Sequence, residues 1–242
     1  MMWWICIKPY ALFYTPDITL PNYTLSEEES KHAIRVLRLQ LHDEVILVDG
    51  KGGKYTAQII DANPKKTLLQ ITHNEQEFGK RNHFLHIALA PTKNSERLEW
   101  FLEKATELGI DAITPIICDR SERKEVKTER LNKIITSAVK QSIKAYHPLI
   151  YEAISFKQFI QQGLEGAGFI AHCMEGEKPL LAQLVKPQGH YTILIGPEGD
   201  FTPQELALAQ AAGYTDISLG QARLRTETAA LAACFEINFL NR

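Results

Sequence analysis

The chain has 242 residues, 45% of them apolar and 23% charged, which is enough to bury a sizeable core without disulfides or metals. A formal net charge of −2 gives no global basic charge of the kind that announces a nucleic-acid partner. The four cysteines, Cys6, Cys118, Cys173 and Cys234, are widely spaced with no C-x-x-C pair, which argues against a zinc site or a disulfide framework and fits a reducing cytoplasm.

The N-terminal run MMWWICIKPYALFYTP is apolar but short. Lys8 and Pro9 interrupt it and no small-residue cleavage site follows, so it reads as neither signal peptide nor membrane span. Residues 12 to about 75 read as short strands and turns around one helix, a small β-barrel pattern. Ser26 and Glu29 form a capping-box signal for that helix, which carries His32, Arg35 and Arg38. "DEVILVDGKGGKYTAQIID" is two strands around a glycine-rich turn, and "TLLQITHNE" is a third.

Residues 76–83, "EFGKRNHF", read as a linker. The period then changes. "FLHIALAP" is a strand and "NSERLEWFLEKATELG" a helix, with Leu98, Phe101, Leu102, Ala105 and Leu108 at helical spacing and Gly109 as its C-cap. "AITPIIC" is a strand, and "TERLNKIITSAVKQSIKAY" a long helix ended by His147-Pro148. "GFIAHC", "YTILIGP" and "DISLG" are strands, and helices "TPQELALAQAAG" and "TETAALAACFEINFLN" follow the last two. Alternating strands and helices predict an α/β fold with a parallel sheet.

Charge is unevenly spread. Residues 120–147 hold 8 Lys and Arg against 3 Asp and Glu. Such a strip can neutralise phosphates, although a solvated helix face explains a bare charge run equally well.

Chemistry concentrates where the last three strands end. Cys173, Met174 and Glu175 follow one, Gly196, Pro197, Glu198 and Gly199 the next, and Leu219 through Thr228 the third. Ligands of open α/β sheets bind outside the carboxyl ends of strands, and glycines let backbone approach them. P-loop and dinucleotide fingerprints are absent, as are metal and nucleophile-elbow motifs.

The runs "EESKHAIRVLRL", "KATELGIDAITPIICDRSERK", "LIGPEGDFTPQEL" and "ISLGQARLRTETAALAA" carry a resemblance. From about residue 12 to its end the chain resembles the bacterial 16S ribosomal RNA uridine-N3 methyltransferase family, RsmE-like enzymes of the SPOUT superfamily. The combination of IGPEG with LG…LRTETA is specific to it. The resemblance implies a PUA-like RNA-binding β-barrel over residues 1–75, a linker over 76–83 and a SPOUT methyltransferase domain over 84–242. The last of these would be knotted as a trefoil at its C-terminal end. It implies S-adenosyl-methionine as cofactor, a homodimer, and 16S rRNA of the small ribosomal subunit as partner, while the cysteine spacing and the short apolar runs lead to the expectation of no metal, no membrane and the cytoplasm.

Against that chemistry, Arg225 is expected to stabilise a developing uracil oxyanion, and Glu198 or Glu227 to accept a proton or orient the base. Leu194, Ile195, Leu219 and Leu224 are expected to wall the adenine. Gly196, Gly199 and Gly220 would offer backbone, with Pro197, Glu198, Arg225, Thr228 and the Cys173–Glu175 loop beside them in the cofactor site. His32, Arg35, Arg38, Lys93, Arg120, Arg123, Lys124 and Lys140 are the expected RNA contacts. Thr226 also reads as an ordinary helix N-cap, with Glu227 in the first turn. The family commonly has an acidic residue where Lys140 stands and glycine where Asp200 stands, and Asp200 reads as a tolerated departure. The competing readings are a SPOUT enzyme acting on ribose or another base, and a non-catalytic ribosome-assembly factor. The exact nucleotide, the identity of a general base and the dimer surface are not legible, although Leu231, Cys234, Phe235 and Phe239 are a candidate surface.

Overall fold

The computed structural model describes residues 11–242. The reading of the N-terminal run therefore lies outside the described residues as far as Tyr10, and so does Cys6. The chain divides into two compact units: one up to Lys80 together with Val139–His147, the other Arg81–Ala138 with Pro148–Arg242.

The first unit is built on β1 (Leu12–Tyr14), β2 (Asn22–Thr24), β3 (Glu44–Val48), β4 (Lys54–Asp61) and β5 (Leu68–Glu75). They form a five-stranded sheet in the order β1-β3-β4-β5-β2, antiparallel except for the β1–β3 pair. Period-two alternation along β4 sends Tyr55, Ala57 and Ile59 inward against Phe13, Val45, Leu47 and Leu69. In the β3–β4 turn Asp49 accepts the amides of Lys51 (2.7 Å) and Gly53 (2.9 Å). A Cβ on Gly53 would stand 2.3 Å from that carboxylate, so only glycine fits there.

The helix of this unit departs from expectation. α1 (Glu27–Lys31) starts as read, with the Ser26 hydroxyl accepting the Glu29 amide at 3.2 Å. The Glu29 carboxylate does not close a capping box; it pairs with Lys140 Nζ at 2.8 Å. The helix then widens into a π-helical turn, His32–Val36, and Arg38 lies beyond it at φ +58°. A side chain that finds a charged partner far along the chain has no reason to cap its own helix.

The second unit contains β6 (Phe84–Leu89), α2 (Ser95–Leu108), β7 (Ala112–Ile117), α3 (Thr128–Ser142), β8 (Leu149–Ile150) and β9 (Ile154–Ser155). After them come α4 (Phe156–Gln161), β10 (Ala167–Ala171), α5 (Leu181–Leu184), β11 (His190–Ile195), α6 (Pro203–Ala211), β12 (Tyr214–Ile217) and α7 (Thr226–Leu240). The strands form a parallel sheet ordered β12-β10-β11-β6-β7-β8, with β9 also paired to β7. α2 buries Leu98, Phe101, Leu102 and Ala105 of the stripe its spacing predicts and leaves Leu108, at its C-terminal end, half-buried. It ends at Gly109 (φ +117°), whose carbonyl accepts the Asn238 side-chain amide of α7 at 2.7 Å.

α3 ends sooner than expected. It stops at Ser142, Ile143 turns left-handed at φ +53°, and the segment to His147 packs with the first unit. There the Gly52 amide donates to Ala145, the His147 amide donates to Gly50, and the His147 ring stacks on Tyr14. Proline therefore does not end this helix; tertiary hydrogen bonds to the glycine-rich turn do. The pieces between α3 and β10 were also missed. α4 carries a readable signal, since Ser155 and Gln158 form a complete capping box. β8 and β9, and likewise α5 between β10 and β11, are too short to show a period.

α7 returns from edge strand β12 to the middle of the sheet, where it packs on β6, β11, α2 and α5. No helix among the described residues is long and apolar enough to cross a membrane.

Candidate active site

The carboxyl ends of four neighbouring strands are level. Ala171 of β10 pairs with Ile195 of β11 and Ile217 of β12, and Ile195 pairs in turn with Leu89 of β6. The loops opened by His172, Gly196, Ser218 and Ala90 therefore leave the sheet along one edge. The three sequence segments singled out for chemistry come from adjacent strands, the arrangement in which parallel sheets bind ligands.

The GPEG turn after β11 is held from several sides. The Thr226 hydroxyl at the start of α7 donates to the Gly196 carbonyl at 3.0 Å. The Lys93 amide, in the loop after β6, donates to Glu198 Oε1 at 3.0 Å. Arg120 Nη1 donates to the carbonyls of Gly199 (2.8 Å) and Phe201 (3.4 Å). Asp200, at φ +62°, accepts the Cys173 amide at 2.8 Å. A Cβ at Gly196 would press to 3.1 Å on the buried Phe201 ring, so the turn's backbone lies close against the core. α6 begins just past it with the expected capping box: Thr202 accepts the Glu205 amide at 3.2 Å, and the Glu205 carboxylate accepts the Thr202 amide at 2.8 Å. The other Glu205 oxygen accepts the Asp119 amide at 2.9 Å, which fixes the loop after β7 as well.

The expected residues sort by exposure. Cys173, Met174, Glu175, Glu198, Gly199, Gly220, Arg225 and Thr228 are exposed at this edge, and Leu219 and Leu224 are half-buried. Leu194 and Ile195 lie inside β11, and Leu194 packs with Ala88, Ile170 and Phe201. They form the floor under the loops rather than side walls. Pro197 is buried in the turn. Gly220 sits at φ +108° with open space where a Cβ would stand, so its backbone faces outward unobstructed. Thr226 is not the N-cap of α7. Arg225 occupies that position without a side-chain capping bond, and the Thr226 hydroxyl goes to Gly196 instead. Glu227 is 7% exposed, and its nearest cation is Arg97 Nε at 3.8 Å.

Arg97 was missed by sequence reasoning, as were Asn94 and Trp100. With Glu227 and Thr228 they line a cleft of about 280 Å³ between the N-terminal turns of α2 and α7. Their only sequence signal is the Asn94 N-cap, which marks a helix start and nothing more. The expected RNA contacts differ in freedom. His32, Arg35 and Arg38 are exposed on the first unit, and Lys124 is exposed on the second. Lys93 pairs with Glu122 at 2.8 Å, Arg123 is half-buried, Arg120 is engaged on the GPEG turn, and Lys140 pairs with Glu29. Of the candidate dimer residues, Cys234 is fully buried and faces its own core, whereas Phe235 and Phe239 are 48% and 54% exposed and stacked on one another. Among the described residues no group of three His, Cys, Asp or Glu side chains is placed to hold a metal.

A family model described as an RNA methyltransferase domain matches residues 80–238, the unit that carries this edge. The chain belongs to that RNA methyltransferase family. A second model, the RNA methyltransferase PUA domain, matches residues 25–72 of the first unit. The methyltransferase is 31% identical to the ribosomal RNA small subunit methyltransferase E of Synechocystis over 242 aligned residues, 97% of this chain and 78% of that protein. The crystal structure of a probable rRNA methyltransferase from Porphyromonas gingivalis matches it with a TM-score of 0.89 and 40% identity, covering 96% of this chain and 98% of that one. The ribosomal RNA small subunit methyltransferase E of Neisseria gonorrhoeae, solved bound to S-adenosyl methionine, matches with a TM-score of 0.87 and 27% identity over the same shares.

Proposed function

We propose that this methyltransferase uses S-adenosyl-methionine to methylate N3 of a uridine in 16S ribosomal RNA. The observation that carries the reading is the level edge of β10, β11 and β12, with the α7 N-terminus tied to it through Thr226 and Gly196. The names of the relatives and the cofactor bound in the Neisseria structure support the cofactor and the RNA class. The resemblance of LG…LRTETA supports the uridine.

The loops suit the cofactor. They offer open backbone at Gly220, half-buried leucines at 219 and 224, and a floor made by Leu194 and Ile195, while the Gly199 carbonyl is taken by Arg120. S-adenosyl-methionine, when bound, supplies an electrophilic methyl group. The protein's task is then to align the uracil with it and to favour loss of the N3 proton. Arg225, exposed and free of capping duty, is the candidate for holding negative charge on the uracil oxygens. Glu198 Oε1 is oriented by the Lys93 amide, and Glu227 is buried beside Arg97; either carboxylate can take the N3 proton or orient the base. His32, Arg35 and Arg38 on one unit, and Lys124 and Arg123 on the other, are the proposed phosphate contacts, so binding weakens with salt. We further assign it a homodimeric state, a trefoil knot at the C-terminal end of the domain, and the cytoplasm as its site of action.

The test separates binding from chemistry. Arg225→Ala is expected to lower methylation at saturating cofactor by about 10²-fold or more, a loss larger than any weakening of S-adenosyl-methionine affinity measured separately by calorimetry. Unchanged turnover removes Arg225 from the mechanism. Mass spectrometry of rRNA nucleosides from a deletion strain is expected to lose 3-methyluridine, and loss of a different methylated nucleoside refutes the assigned atom.

A further inference from the structure

Asp200 looks dispensable in sequence, because its position in the turn asks only for a residue that accepts positive φ. The structure gives its carboxylate two partners. Oδ1 accepts the Phe201 amide at 2.9 Å, and Oδ2 accepts the Cys173 amide at 2.8 Å. The first bond is local. The second spans 27 residues and joins the loop after β10 to the turn after β11. The Asp200 amide in turn donates to the Pro197 carbonyl at 2.9 Å, so the carboxylate is carried on a closed turn. Glycine would adopt φ +62° at lower cost, but it has no acceptor to offer.

The loop it holds is exposed, with its Met174 carbonyl accepting from the Lys178 ammonium a few residues on. Cys173, Met174 and Glu175 are exposed, and Gly176 sits at φ +127° with open space around it. Just before the loop the His172 side chain is nearly buried, 3.5 Å from Asp216, whose Oδ2 also accepts the Gln210 side-chain amide at 2.7 Å. The bond that reaches the loop from the GPEG turn is the one from the Cys173 amide to Asp200.

We propose that Asp200 is a positioning residue that clasps the Cys173–Glu175 loop to the GPEG turn and pre-forms the cofactor pocket of this chain. The proposal rests on the reading that these loops hold S-adenosyl-methionine. An ordered pocket binds more tightly than one that must order on binding, because the ordering cost is already met in the free protein. A hydrogen bond to a charged acceptor is strong enough for its loss to show as about a tenfold weaker affinity.

Two variants separate geometry from the clasp. Asp200→Gly keeps the positive φ and removes both acceptors. Asp200→Asn tolerates the same backbone and keeps one acceptor oxygen. With the full-length protein, Asp200→Gly is expected to weaken S-adenosyl-methionine binding about tenfold by calorimetry. The loss should fall on KM for the cofactor rather than on kcat, and amide exchange should quicken in the peptide around Cys173. Asp200→Asn should recover most of the affinity. Equal affinity in wild type and Asp200→Gly overturns the clasp, as does an Asp200→Asn variant as weak as Asp200→Gly. If the wild type itself does not bind S-adenosyl-methionine, the underlying cofactor reading fails, a result distinct from either of these.

Discussion

The bond from the Thr226 hydroxyl to the Gly196 carbonyl makes a quantitative prediction. Thr226→Val keeps the side-chain shape and removes the donor. Thr226 is 6% exposed and Gly196 is buried, so water does not readily replace the lost partner. Leaving a buried carbonyl without this donor costs about 1–3 kcal/mol. For a unit of this size each kcal/mol moves Tm by roughly 2–4 °C, so a drop of about 4–8 °C is expected for a mid-range cost. Circular dichroism melts of the full chain measure it, with Thr226→Ser as the control that keeps the hydroxyl and should stay close to wild type. The same variant should weaken S-adenosyl-methionine binding, because the bond joins the start of α7 to the proposed cofactor turn. A Thr226→Val protein that melts with wild type would refute the view that this hydrogen bond holds the last helix to the site.

Two further predictions concern titration and reactivity. Burial, with the nearby His190 adding to it, pushes the His86 imidazole down to about 4, while its Nε2 lies 2.8 Å from Thr114 Oγ1. Because the folded value lies below the unfolded one, its contribution is fully present above about pH 6.5 and fades as pH falls to about 4, a loss of up to about 3 kcal/mol. His86→Gln should flatten denaturant-measured stability across that window, and an unchanged pH slope would contradict the assignment. Burial also raises the Cys118 thiol, whereas Cys173 is exposed in the proposed cofactor loop. Peptide mapping after iodoacetamide should find Cys173 labelled and Cys118 not, with S-adenosyl-methionine slowing the former; equal labelling with and without the cofactor would speak against Cys173 lying at the pocket.

What was legible in the sequence is what short-range chemistry decides. Thr202, Pro203 and Glu205 announce the start of α6, Gly109 ends α2, and the alternation along β4 and the stripe of α2 follow from their periods. The three glycine- and polar-rich segments that leave one edge of the sheet together were legible as loops after strands, although any one of them alone reads as ordinary turn chemistry. The resemblance then supplied a chemistry that composition could not.

Other features were settled by partners far along the chain. Glu29 could have capped its own helix and instead meets Lys140; Thr226 could have capped α7 and instead meets Gly196; Asp200 reaches Cys173. For Glu29 and Thr226 a distant partner displaces a local one, whereas Asp200 makes both its local bond to Phe201 and the distant bond to Cys173. The order β12-β10-β11-β6 and the return of α7 to its middle bring Thr226 to Gly196 and Cys173 to Asp200, and the inclusion of residues 139–147 in the first unit brings Lys140 to Glu29. Periodicity records which face of an element is buried, but not which strand lies beside it. Side chains that choose between a near and a distant partner are therefore assigned by the tertiary structure alone.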